Sequence, residues 1–382
     1  MIVIFLYFIS PYLSKIIVPI LEVLIKCIIM ISNFGNFPLS KVYLPTPKIW
    51  QILIYYFMIY LLLFLYQIYN SKHKSNTNIR IRNFIALIKY KFREKKKIYL
   101  KRILVIVLML IFVNSTKQGQ LKINFIDVGQ GDSTFIVTPE NKTILIDGGG
   151  TTSNEFDVGK SILLPYVLDR GYNKIDYIFI SHFDQDHCAG LLYLMEEIKV
   201  KNIIIGKQYQ ACDNYKKFIQ IINNKNINVK VVEAGDRIEI EKEVYFDIIW
   251  PCSDIVISEN AINNNSLVCK LVFKKFSMLY TGDIEEIAEK AIISKYKKTG
   301  TNMLKSNILK VAHHGSKTSS TQEFLKLVKP QYALIGVGKD NKFGHPSDIT
   351  IENLKLNSIK IFRTDEMGEI SIKSNGKKVL FK

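Results

Sequence analysis

Residues 180–190, ISHFDQDHCAG, close the apolar run YIFI at 177–180 and offer His182, Asp184, Asp186 and His187 before a helical pattern begins. Alternation along an extended segment puts positions 182, 184 and 186 on one side, with His187 able to turn to a neighbouring position. Imidazole and carboxylate arranged in this way suit one or two divalent cations. A single histidine in a polar loop has a bland explanation. Two His and two Asp within six residues after a buried strand do not.

Three further windows end apolar runs in the same manner. LYTGDI (279–284) delivers Asp283, whose carboxylate at an adjacent strand end could bridge two ions. LKVAHHGS (309–316) places His313 and His314 beside a glycine that permits close approach, and leaves open which of the two is the ligand. FGHP (343–346) offers His345 in a loop, so that five of the six histidines fall in these windows. The runs INFIDV (123–128), TFIVT (134–138), TILID (143–147) and YIFIS (177–181) read as strands between glycine-rich breaks. Helices are predicted at about 157–169, 188–198, 213–224, 284–296, 320–328 and 349–355. The stretch 121–382 thus reads as one α/β domain able to bury its own core.

The chain has 382 residues and a net charge of +18, which by itself suggests nucleic acid or an anionic membrane. The excess is not evenly spread: residues 1–120 carry a net +15 and residues 121–382 only +3. The high pI is therefore no argument that the C-terminal part binds DNA. The five cysteines are odd in number and lack a CxxC pair, against a disulfide framework or structural zinc module. They read as mostly buried thiols.

The N-terminal third reads as membrane. WQILIYYFMIYLLLFLYQI (50–68) is 19 residues without a charge, long enough to cross a hydrocarbon core of about 30 Å. Residues 1–32 are apolar but interrupted by Pro11, Lys15, Pro19, Glu22 and Lys26, a pattern that implies partner helices. A cleavable signal peptide is not expected, because no basic residue precedes the apolar run and no small-residue cleavage site follows it. Residues 71–102 hold twelve Lys+Arg against Glu94 and read as a cytoplasmic loop. The run ILVIVLMLIFV (103–113) is a short span if Lys101 and Arg102 reach for the headgroups, and its crossing would put the C-terminal domain outside the cell. The expected organisation is transmembrane helices over 1–70, a basic loop over 71–102, a short membrane helix over 103–115 and the α/β domain over 121–382.

The motif set FIDVGQGDS (125–133), ILIDGG (144–149), SHFDQDH (181–187), NNNSLV (263–268), TGDI (281–284), KVAHHGS (310–316) and GHPS (344–347) resembles that of metallo-β-lactamase-fold hydrolases. It is similar in particular to the ComEC family of DNA-internalisation competence proteins, over all of 121–382. The resemblance implies a four-layered αβ/βα sandwich with metal loops along one edge of two sheets. His182, Asp186 and His187 match the fold's first metal motif, Asp283 its bridging carboxylate, and His313 or His314 a later metal histidine. Asp147 matches a carboxylate beneath the site, a role given also to Asp132. The chain departs from the common pattern at Asp184, where a second histidine is usual, and in having no histidine between His187 and His313. A site so rich in oxygen favours Mn²⁺ or Mg²⁺ more than a nitrogen-rich Zn²⁺ site would.

Two ions about 3.5–4 Å apart would supply hydroxide near neutral pH and neutralise charge on a phosphoryl oxygen. Asp186 is expected to orient that hydroxide, and His345 to bind phosphate or protonate the leaving oxygen. Ser316 and Ser347 are candidates for hydrogen bonds to phosphate, and Lys310, Lys317, Lys339 and Lys342 for a basic track along a nucleic-acid backbone. The expected function is a membrane-anchored phosphodiesterase acting on DNA during uptake, with single-stranded DNA, the lipid membrane and a separate multi-span channel subunit or other competence proteins as partners. The alternatives are a metallohydrolase of a small phosphodiester, a cell-wall component or a lactone, and a catalytically silent docking fragment of a split channel.

Overall fold

The computed structural model describes residues 49–70, 119–151, 156–299 and 302–381, with isolated positions at 19, 22–23, 25–30, 46–47, 83–84, 86–87 and 90. By its contacts the chain divides into two units, 1–46 with 168–171, and 47–167 with 172–382. In the first, Lys26 and Glu22 lie one helical turn apart and pair with each other at 2.8 Å, both exposed. In the second, helix α1 spans Ile49–Asn70 and carries exposed Leu53, Phe57, Tyr60 and Leu63. Among the described residues no helix is long and apolar enough to cross a membrane. The short helix expected at 103–115, and nearly all of 1–32 and of the basic loop 71–102, lie outside the described residues.

From residue 121 the chain builds two sheets. The first takes β1 (Leu121–Phe125), β2 (Thr134–Val137), β3 (Thr143–Ile146), β4 (Lys174–Ile180), β5 (Lys199–Gly206), β6 (Asn228–Val232), β14 (Ile370–Ser374) and β15 (Val379–Phe381), in the order β15-β14-β1-β2-β3-β4-β5-β6. The second takes β7 (Arg237–Glu241), β8 (Val244–Trp250), β9 (Val268–Phe273), β10 (Phe276–Tyr280), β11 (Ile308–Lys310), β12 (Tyr332–Ile335) and β13 (Lys360–Arg363), in the order β13-β12-β11-β10-β9-β8-β7. Their inner faces meet in one core that includes Phe125, Phe179 and Ile204 from the first sheet and Phe246, Met278 and Phe362 from the second. The Phe179 and Phe246 rings lie 4.3 Å apart across it.

Besides the short α2 (Leu164–Asp169) and α5 (Ala261–Asn264), helices cover the outer faces. Helices α3 (Gln185–Glu197) and α4 (Asp213–Lys225) connect β4 to β5 and β5 to β6, and all three of these strands run parallel. Phe179 faces the other sheet, so pleating turns its neighbours Ile178 and Ile180 outward, to the side where α3 buries Leu191, Leu194 and Met195. On the second sheet, α6 (Glu286–Thr299), α7 (Gln322–Val328) and α8 (Asp348–Leu356) connect the parallel strands β10 to β13. They bury Ile292, Phe324 and Leu354 against Trp250, Leu279 and Ile335. The result is the four-layered sandwich expected from the resemblance. Ligands in such sheets gather at the carboxyl ends of parallel strands, and the histidine windows follow β4, β11 and β12.

Candidate metal centre

Asp147 follows β3 in a left-handed conformation, φ 54°. Its carboxylate accepts hydrogen bonds from the backbone N–H and hydroxyl of Ser181 (2.8 and 2.7 Å) and lies 3.0 Å from His187 Nδ1. The next three residues, Gly148–Gly150, press against the start of α3. Gly148 N–H donates to the His187 carbonyl at 2.7 Å, and a Cβ on Gly150 would fall 1.9 Å from the Gln185 carbonyl oxygen. Only a bare backbone fits there, and it fixes the first turn of the helix that carries His187.

That turn corrects one expectation. The helix begins at Gln185, with Asp184 as its extended N-cap, so Asp186 and His187 are helical and the alternation over 182, 184 and 186 ends at 184. His182 is buried with Nδ1 2.9 Å from Ser181 Oγ, leaving its Nε2 with no hydrogen-bond partner. Asp184 turns outward, 42% exposed, with its Oδ2 3.8 Å from His182 Nε2.

His187 Nε2 points to the other sheet, 3.2 Å from Asp283 Oδ1 and 3.1 Å from His314 Nε2. His314 Nδ1 donates to the Gly336 carbonyl at 2.7 Å, while its Nε2 lies 3.3 Å from both Asp186 Oδ2 and Asp283 Oδ2. In both rings Nδ1 is held by a structural acceptor and Nε2 is aimed at the common centre, the arrangement that orients metal-ligating histidines. Asp132, His187, Asp283 and His314 are all buried and offer one ligand atom each within 4.8 Å of one another. His313, whose backbone is also left-handed (φ 51°), is 22% exposed and farther out, 4.0 Å from Asp283 Oδ2 and 3.6 Å from Glu285. Of the adjacent pair it is therefore His314 that joins this group. His345 stands above it, its ring 5.7 Å from His313 and 6.5 Å from His314, with a buried Nδ1 that has no partner.

The site is rich in negative charge. Burial disfavours imidazolium, but Asp283, Asp147 and Asp132 overcome it and hold the His187–His314 pair cationic well past the ordinary histidine range. Burial likewise opposes charge on Asp283 and Asp186, yet the same two imidazoles keep both carboxyls well below the usual range. His182 is pushed the other way, down to about 3, by burial and by the positive His187 beside it. His345 is pushed down to about 4 by burial and by His314 and His313. An ion that displaced the protons on His187 and His314 Nε2 would meet imidazole nitrogens and carboxylates converging on one centre, with His182 Nε2, which makes no hydrogen bond, beside them; that donor set fits divalent cations.

Lys310 is misplaced by the basic-track reading. It is 2% exposed, its Nζ ion-paired with Asp132, donating to the Gly282 carbonyl at 2.9 Å and lying 3.4 Å from Asp283 Oδ1. An ammonium buried beneath the cluster cannot meet a strand of DNA; it balances two acids. Asp132, set behind the ligands by sequence reasoning, approaches both rings on their Nδ1 side, 3.9 Å from His187 and 3.8 Å from His314. The signal for Lys310 was its place in a strand, ILK, that is buried throughout. Ser316 is buried with its hydroxyl on Thr318 Oγ1 at 3.0 Å, and Ser347 caps α8 by accepting the Thr350 N–H. Both hydroxyls are used by their own turns. Lys317 is exposed on a separate groove of about 600 Å³ beside Glu259, Glu285 and Glu286, and Lys339 and Lys342 are exposed near His345. Among the described residues Cys188, Cys252 and Cys269 are buried, and all five thiols are free.

Above the cluster lies a cleft of about 790 Å³ bordered by Asp184, Asp186, Asp283 and His313. Residues 126–339 match the profile of the Metallo-beta-lactamase superfamily. The chain is 31% identical over 275 residues to ComE operon protein 3 of Bacillus subtilis, covering 69% of this chain and 34% of that protein. It is 27% identical over 244 residues to Competence protein ComA of Neisseria gonorrhoeae, 64% of this chain and 31% of that one. The chain thus spans about a third of the length of the curated relatives it matches. Among solved structures, the metallo-beta-lactamase fold protein YhfI of Bacillus subtilis matches with a TM-score of 0.44 and 11% identity, over 67% of this chain and 100% of that one. With more than half its length on the family profile, the chain belongs to the metallo-β-lactamase superfamily, and competence proteins are among the relatives that it resembles.

Proposed function

We propose that the protein is a metal-dependent phosphodiesterase that cuts DNA during its uptake. The observation that carries the reading is the convergence of His187 Nε2, His314 Nε2 and the Asp283 carboxylate at the floor of an open cleft. In this reading His182, Asp184, Asp186, His187, Asp283 and His314 hold two divalent ions, Mn²⁺ or Mg²⁺ in preference to Zn²⁺, with Asp132 behind His187 and His314. The ions, when bound, supply a hydroxide near neutral pH and charge neutralisation at the phosphoryl oxygens. Asp186, helical and lining the cleft, orients the attacking oxygen. His313 and His345, side by side at the rim, hold the phosphate; His345, neutral in the free site, takes up a proton beside the phosphate's negative charge and passes it to the leaving oxygen. Asp147 fixes the ring of His187 from behind through its Nδ1 contact.

The competence relatives support DNA as the substrate class and the membrane as the place of action. Within that proposal α1 and the apolar run at 103–113 anchor the chain, the basic residues of 71–102 stay in the cytoplasm, and the hydrolase domain faces outward. A multi-span channel subunit or other competence proteins complete the machine.

The test uses the full chain in detergent, stripped of metal and given Mn²⁺, Mg²⁺ or Zn²⁺ with end-labelled single- and double-stranded DNA. Cleavage that needs the ion and is abolished in His187→Ala and Asp283→Ala is the expected result. Asp184→Ala should weaken metal binding by about 10–100-fold. A fully active His187→Ala variant sinks the assignment, and metal binding without any DNA cleavage moves the substrate to another class.

A further inference from the structure

The two aromatic residues at the cleft mouth have no structural task. Among the described residues of 119–381, Phe156 (45% exposed) and Phe343 (67%) are the only exposed Phe, Tyr or Trp. Every other described aromatic ring of the domain is buried or half-buried, as their large apolar area dictates. Both exceptions line the same 790 Å³ cleft above the His/Asp cluster. Scattered exposed apolar side chains are ordinary, but this pair is confined to one opening. Phe343 is joined to the cluster by a row of rings: it lies 5.9 Å from His345 with planes 26° apart, and His345 lies 5.7 Å from His313. Phe156 also lines a neighbouring hollow of about 240 Å³ that shares Gly150, Thr151 and Gln185 with the cleft and has Lys217 in its wall. Exposed Lys339 and Lys342 flank Phe343, and exposed Lys217 stands beyond Phe156.

A surface that alternates lysine, bare aromatic ring, metal-type cluster, bare aromatic ring and lysine matches a single strand of nucleic acid better than a duplex or a small diester. Bases with free faces can stack on the rings while the phosphates follow the lysines and cross the cluster. A paired base has no face to offer, and a small diester reaches neither ring. We infer that Phe343 and Phe156 are the stacking platforms for two nucleobases of a single strand, one on each side of the phosphate at the cluster. The inference rests on the proposed function for its substrate class and adds the residues that select a single strand.

The experiment reads binding in EDTA, so that turnover plays no part. Fluorescein-labelled oligothymidylate and an abasic phosphodiester strand of equal length are titrated with the full chain in detergent, and 2-aminopurine in place of thymine reports stacking by its quenching. Phe343→Ala and Phe156→Ala should each weaken oligothymidylate binding by about 5- to 150-fold, the range for loss of one stacked base. The same variants should shift the abasic strand less than twofold and lose the quenching, while Phe343→Trp retains it. Equal binding of the two strands by the wild-type chain overturns the inference, as do alanine variants that lose both strands alike. Base preference that vanishes in the alanine variants upholds the inference even if no ion supports cleavage, a result that would remove only the nuclease reading. Metal-dependent cleavage without base preference does the reverse.

Discussion

Replacing the ammonium of Lys310 would leave Asp132 and Asp283 facing one another in a site that water barely reaches. Breaking a buried ion pair on one side costs about 3–5 kcal/mol, so Lys310→Met should lose that much stability in EDTA. Saturating Mn²⁺ should return part of it, because an ion that binds only the folded chain stabilises by mass action. Chemical denaturation with and without the ion measures both terms; equal stability of variant and wild type in EDTA would refute the charge-balancing role. The same residue marks the limit of reading a site from sequence. His187 and Asp283 could be picked out because imidazole and carboxylate cluster at strand ends, whereas a lysine between apolar neighbours reads equally as a surface base. The choice between His313 and His314 was closed for another reason: both are left-handed at φ 51°, and only the backbone path decides that one ring enters the cluster while the other stops at its edge.

Asp176 links three neighbouring strands. Its carboxylate accepts the Thr143 N–H of β3 at 3.0 Å and pairs with Lys201 of β5 at 2.6 Å, while its own backbone belongs to β4. Burial raises its pKa, but Lys201 and the Thr143 bonds outweigh that, and the carboxyl is held below the ordinary range. A depressed folded pKa gives stability that is fully present above the unfolded value, about 3.9, and is lost as pH falls through the folded one. Asp176→Asn should therefore cost about 1–2 kcal/mol at neutral pH, less than a fully buried pair because Lys201 is 42% exposed, and the deficit should shrink below pH 4. Urea titrations at stepped pH check it; a constant deficit would contradict the linkage. At this scale the sequence was most readable. Runs such as TILID and YIFIS are β-branched and bounded by turn formers, and the predicted helix at 213–224 is found at Asp213–Lys225. The start of α3 was placed too late because Gln185 and Asp186 look like loop residues. Their helical state comes from Gly148–Gly150 packing beneath them, a contact made by residues 35 or more positions away.

Phe179 of β4 and Phe246 of β8 meet between the sheets, so Phe179→Ala opens a cavity where the two halves of the sandwich are pressed together. The expected cost is about 3–5 kcal/mol, and a loss under 1 kcal/mol by urea denaturation would mean that the sheets close over the gap. Which strand lies beside which was beyond the sequence: β1 pairs with β14, Leu121 opposite Ser374, and no local pattern announces a partner so distant. The resemblance to a known family supplied the four layers but not that order. The residues of the candidate centre come from both sheets, His182, Asp186 and His187 following β4 of one, and Asp283 and His314 following β10 and β11 of the other. A chain emerging from the ribosome shows His182 and His187 long before Asp283 and His314 exist. The cluster they share can therefore close only after the second sheet has been made and has docked on the first.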